Sequence, residues 1–291
     1  MNRLSPKDRA QVIHMLCEGN SIRSITRVLG VGKNTVARLL VDAGKACMSY
    51  HDENVRDVAA KRIQCDEIWT FTYAKQKNVA SAKAAPEHAG DTWTWTALDS
   101  DSKMIVSYLV GGRDAEYALE FMDDLAGRLA NRVQITTDGH RAYLEAVEEA
   151  FGADVDYAQL VKLYGEAPEG QRRYSPAHIV STRKRRVEGN PDLDAVSTSH
   201  VERQNLTMRM HMRRFTRLTN GFSKKIENHA YAVALHFMYY NFVRIHQSLR
   251  VTPAMAAGVT DRLWDISDIV ALVEAADSKP GPRGPYKKKG A

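Results

Sequence analysis

Three carboxylates, Asp66, Asp138 and Glu202, stand where an acid needs a chemical reason. Asp66 lies in the stretch 63–73, where Ile68, Trp69, Phe71 and Tyr73 alternate with β-prone residues and predict a strand. Strands are poor in aspartate, and burying an unpaired charge is costly. A bound cation would satisfy Asp66, and so would a backbone amide or an arginine; the stretch alone leaves both open. Asp138 ends a short run, 133–138, that also reads as a strand, and Gly139 follows it. Glu202 sits near the start of a helical stretch, 199–209, and its spacing from Ser199 also fits a capping box, where it would serve only a backbone amide. Glu67 adjoins Asp66, but strand alternation turns it to the opposite face and makes it a poorer ligand. His140 could touch a phosphate or the surroundings of a metal, or be an ordinary loop histidine.

The elements that must position these acids follow in a legible order. Strands at 63–73, 91–99 and 104–110 have short connections and predict an antiparallel meander. The period then changes. A helix at 114–129 carries Tyr117, Leu119, Phe121, Met122, Leu125 and Leu129 as its apolar set. After the strand at 133–138 come a helix at 143–151 and a strand at 155–163. Helical crossovers demand parallel neighbours, so the plan is α/β with a mixed sheet. A crossover strand can lie beside the first, which would bring Asp66 and Asp138 to one edge of the sheet.

Asp in the first strand, Asp at the end of the fourth and Glu on a later helix form the acidic triad of the ribonuclease H-like fold. Over residues 63–258 the chain resembles the DDE transposases and retroviral integrases, and most of all transposases of the insertion sequence one family. The resembling segments are 65–69, 136–139 and 200–209, with a later one at 239–253. The resemblance implies an enzyme in which Asp66, Asp138 and Glu202 are catalytic and hold two divalent ions about 3.5–4 Å apart, with Asp66 bridging both. Hard oxygen ligands without a Cys or His cluster favour Mg²⁺, with Mn²⁺ able to substitute. Water would first cut the DNA backbone, and the freed 3′-hydroxyl would attack a target strand with no covalent protein intermediate. Arg209, two helical turns after Glu202, is implied as a DNA contact beside the glutamate; a solvated arginine is the plainer reading.

The N-terminal part, 1–45, predicts helices punctuated by Ser5-Pro6, Gly19, Ser21 and the turn 30–32. Two short helices joined by a glycine turn make a helix-turn-helix, whose second helix would present Lys33, Asn34, Thr35 and Arg38 to a major groove. A plain three-helix bundle with a solvated polar face is the alternative. Residues 46–62 read as a linker or short connecting helix, and 63–258 as the catalytic domain. The stretch 165–197 reads as a basic insertion with Arg172, Arg173, Arg183, Arg185 and Arg186, either gripping a DNA end or simply solvated. Residues 226–242 predict a helix apolar nearly all round. Residues 259–291 read as a final helix, suited to self-association, and a basic tail.

The net charge of +6 and pI near 9.1 suit a polyanionic partner without proving one. The expected partners are double-stranded DNA, as terminal inverted repeats and target, and a second copy of the chain, since two ends must meet. Cys17, Cys47 and Cys65 offer neither a disulfide frame nor a zinc site, and the zinc module common in the resembled family has no counterpart here. With no apolar run of signal or membrane length, a cytoplasmic, nucleoid-associated protein is expected. Two other readings stay open: a helix-turn-helix regulator without catalysis, and a ribonuclease H-like nuclease that cuts without strand transfer.

Overall fold

The structure, a computed structural model, describes residues 4–165, 179–216 and 220–276. Arg172, Arg173, Arg217 and the basic tail after Ala276 lie outside the described residues.

The chain opens with α1 (Pro6–Cys17), α2 (Ile22–Leu29) and α3 (Lys33–Asn54). The side chains of Ser5 and Ser21 accept from the backbone N–H groups of Asp8 and Ser24, so each fills an otherwise empty acceptor position at a helix start. α2 ends at Gly30, whose φ of 67° is left-handed and suits glycine. α3 runs well past residue 45, so the first part of 46–62 is helical and continuous with the third helix and not a separate linker or connecting helix. Ala43, Cys47 and His51 recur every fourth residue on a buried face, while Lys45, Asp52 and Glu53 give the exterior the look of a connector. Beyond α3, Val55, Val58 and Ala60 are also buried. Gly44 permits close helix packing: a Cβ there would come within 2.3 Å of the Tyr231 carbonyl oxygen.

The sheet comprises β1 (Arg62–Thr72), β2 (Gly90–Asp99), β3 (Ile105–Gly111), β4 (Val133–Thr137), β5 (Val155–Tyr164) and β6 (Ile179–Glu188), ordered β3-β2-β1-β4-β5-β6. A short helix, α4 (Gln76–Val79), lies between β1 and β2. β1 pairs antiparallel with β2 and parallel with β4; β4 and β5 are parallel. This is the ribonuclease H-like arrangement expected from the order of elements. The sixth strand was not expected. Part of the stretch read as an insertion is β6, antiparallel to β5 and exposed along nearly its whole length. Its run of charged residues lacks the apolar alternation by which a strand is recognised.

Two crossover helices, α5 (Ala115–Ala126) and α6 (Ala142–Phe151), cover one face with Phe121, Met122, Leu125, Tyr143 and Val147. The helices α7 (Ser199–His211) and α8 (Ile226–Met238) follow β6. A π turn, Tyr239–Val243, continues α8; its Asn241 side chain accepts from the N–H of Ile105 and donates to the Ile105 carbonyl, fixing the turn to β3. After the short α9 (Pro253–Ala256), α10 (Ile266–Ala276) packs on α1 and α3 through Ile269, Val270 and Val273. That apolar face, read as suited to self-association, is covered within the chain. No helix among the described residues is long and apolar enough to cross a membrane.

Candidate active site

The β1–β4 ladder ends at the pair Gln64 and Thr136. Asp66 and Asp138 each lie two residues further on, where the strands no longer pair, and their carboxylates meet there. Glu67 joins them: one oxygen from each of Asp66, Glu67 and Asp138 lies within 4.8 Å of the others. This corrects the expectation that alternation removes Glu67. At the point where neighbouring strands part, side chains from the two faces can approach the same gap. The Glu67 side chain is 1% exposed. It accepts from Arg113 Nε at 2.7 Å and from the Tyr143 hydroxyl at 3.0 Å. The Arg113 guanidinium in turn lies over the Trp93 ring, 4.6 Å from its centre.

Burial, reinforced by the charges of Glu67 and Asp138, pushes the Asp66 carboxyl up to about 7. Burial and Asp138 also raise Glu67, and Arg113 opposes them. A cleft of about 460 Å³ opens over the acids, lined by Asp66, Arg113, Asp138, His140, Lys162 and Tyr164 among others. The backbone N–H of His140 donates to Asp138 at 2.8 Å, and its ring stacks on Trp95 with centroids 6.0 Å apart.

Two side chains tie α7 to β1, and one of them reaches an acid. Gln64, on β1, accepts from the backbone N–H groups of His200 and Val201, at 2.9 and 3.2 Å. Asn205 donates from Nδ2 to Asp66 Oδ2 at 2.7 Å. Glu202 does not join the converging trio. Its carboxylate accepts from the Lys162 ammonium and from the Thr198 hydroxyl. Burial works against the charged Lys162, yet Glu202 outweighs it and raises the lysine pKa. Nor is a Ser199 capping box present: the residue before the helix is Thr198, and no side chain of it caps the backbone. Glu202 still lies near enough to add to the upward shift of Asp66.

The other expected contacts lie elsewhere. Lys33, Asn34, Thr35 and Arg38 are all exposed on the first turns of α3. Arg209 is exposed on α7. On β6, Arg183 and Arg185 lie opposite Val161 and Gln159, whereas Lys184 and Arg186 lie opposite Leu160 and Ala158. Directly opposed residues share a face, so the basic strand divides. Lys184 and Arg186 share the face of Lys162 and Glu202; Arg183 and Arg185 take the other. Sequence reasoning missed Gln64, Arg113, Tyr143, Lys162 and Asn205. Gln64 alone carried a signal, since a residue two before Asp66 shares its face in a strand.

The donor set fits a hard divalent cation. Three carboxylates crowd a buried gap, and no Cys or His group competes among the described residues. Thr96 stands opposite Asp66 on β2, and its hydroxyl is buried without a partner among the described residues, as are Asn205 Oδ1 and His140 Nε2. His140 lines the cleft, and an orphaned polar group there fits a site that takes a hydrated ion.

No family model and no curated protein sequence matches the chain. Among solved structures it is similar to three complexes of one protein. The Mos1 transposase paired-end complex with left transposon end has 13% identity and a TM-score of 0.23, and a pre-cleavage Mos1 transpososome has 11% and 0.21. Each alignment covers 54% of this chain and 60% of the other. The Mos1 Strand Transfer Complex has 12% identity and a TM-score of 0.24, covering 82% and 78%. At these scores the fold assignment rests on the strand order and not on the likeness.

Proposed function

We propose that the chain is a transposase that binds the ends of a DNA element and catalyses strand cleavage and strand transfer. The observation that carries this reading is the meeting of Asp66 and Asp138 at the parting of β1 and β4. Two acids far apart in sequence, embedded in segments that resemble insertion sequence one transposases, share one gap. Glu202 would complete the set by exchanging Lys162 for the site, a side-chain motion of a half-exposed residue.

Mg²⁺, with Mn²⁺ as a substitute, would supply Lewis-acid stabilisation of the charge that builds on the transferring phosphate. Asp66, Asp138 and Glu202 would hold it. Lys162, freed from Glu202, and Arg113 line the same cleft and would attract the phosphate backbone. Lys33, Asn34, Thr35 and Arg38 would read the element's ends in the major groove. Arg186 and Arg209 would grip the strand near the acids, and Arg183 and Arg185 would hold duplex on the other face of the sheet. Two ends must meet, so a dimer or larger assembly is the working form.

A strand-transfer assay on candidate terminal repeats with Mg²⁺ tests the reading. Asp66→Asn should abolish joining, a loss of about a thousandfold or more, since several kcal/mol of charge stabilisation disappear. Its affinity for the duplex should persist. Equal joining by both proteins would remove Asp66 from the chemistry.

A further inference from the structure

We propose that Asn205 is a positioning residue for Asp66, docking α7 to the acid cluster. This rests on the metal-binding reading of the cluster. Asp66 is hemmed in by like charges, and among the described residues only one side chain is recorded donating to it: Asn205 Nδ2, at 2.7 Å on Oδ2. The backbone N–H of Glu67 also bonds this carboxylate, and Asn205 is the side-chain donor that ties it to α7.

With Asp66 ionised, the amide must present its N–H, because a reversed carbonyl would face a carboxylate. Asn205 Oδ1 has no hydrogen-bond partner among the described residues, although the residue is only 5% exposed. The hydroxyl of Thr96, paired across the sheet from Asp66, is orphaned in the same way. Neither residue lines the cleft, so the case for Asn205 rests on the bond it donates to Asp66.

Asn205 is also three residues after Glu202, on the same face of the helix. With Asn205 on Asp66 and Gln64 holding the first turn, α7 is docked at two points. The charge of Glu202, one turn away on the same helix, already acts on Asp66. This separates two jobs on one helix: Asn205 sets the geometry and Glu202 responds.

The test is calorimetric Mn²⁺ titration of the full chain, with melting temperature in EDTA as the control for folding. Asn205→Ala removes the donor and leaves space. Asn205→Leu keeps the volume and removes the donor, so the helix stays packed if the smaller variant fails to fold. Each should weaken Mn²⁺ binding about tenfold or more, the usual effect of losing a partner that orients a ligand. On DNA, kcat should fall with KM for the duplex unchanged. Variants that melt lower but bind Mn²⁺ as the wild type does would overturn the role of Asn205 and leave the acid cluster standing. A wild-type chain that binds no Mn²⁺ would overturn the cluster reading and this inference together.

Discussion

α7 and α8 are each 13 residues long, and they meet the rest of the protein in opposite ways. α8 buries Ala232, Val233, Ala234, Leu235, Phe237 and Met238 and packs on α3 and β3. Even its histidines are inside: burial pulls both His229 and His236 down to about 3 and keeps them neutral. α7 buries only Val201, Gln204, Asn205 and Met208, and its Glu202, Leu206, Arg209 and Met210 are exposed. It is tied to β1 by the side chains of Gln64 and Asn205. The contrast separates a helix that holds the fold from one that holds a site. Apolar burial is strong and indifferent to direction, whereas hydrogen bonds are weaker and set orientation.

Substitutions should expose this difference. The largest effect is expected on α8. Phe237 is fully buried against Tyr108, and Phe237→Ala should cost about 3–5 kcal/mol in chemical denaturation. Met210→Ala on α7, at a side chain mostly in solvent, should stay within about 0.5 kcal/mol. Comparable losses at both positions would erase the distinction.

A smaller effect is expected from the acids beneath α7. Asp66 stands at about 7 in the folded protein against an ordinary 3.8, so the folded state binds its proton more tightly than the unfolded state. Its contribution is fully present below about pH 4 and is lost as the pH rises toward 7, on the order of a few kcal/mol. Without metal, the wild type should therefore lose stability relative to Asp66→Asn between pH 5 and 8. Mg²⁺ should return that loss at the higher pH. Parallel melting curves for the two proteins would show that the carboxylates are not crowded as described.

A smaller effect than that of the acids is expected at the α7 hook. Gln64→Ala should cost about 1–3 kcal/mol, because the amides of His200 and Val201 lose their acceptor. Hydrogen exchange at those two amides should quicken while exchange in α8 stays as it was. An unchanged first turn of α7 would mean that the helix is held by packing after all.

Much of the sheet was readable in advance because its strands obey simple alternation. Trp93 and Trp95 between threonines, and the change from period 2 to helical period after Gly112, locate the elements to within a few residues. β6 escaped because an exposed edge strand of arginines carries no apolar period. The second half of α3 escaped because its outward residues are charged and its inward ones small. Asp66 and Asp138 were legible as acids at strand positions, and the parallel crossover explains why they meet. The contact between Glu67 and that pair was not, since it depends on where two strands cease to pair.

The residues alone determined the order of elements, the mixed sheet and the presence of acids where strands should not carry them. These follow from local periodicity and from the cost of burying charge, which any short window displays. The tertiary structure decided which carboxylates share a gap, that Lys162 occupies Glu202, and that Gln64 and Asn205 fasten α7 to β1. Those contacts join residues as many as 139 positions apart. Their partners are chosen by the twist and register of the assembled sheet, which no local pattern encodes.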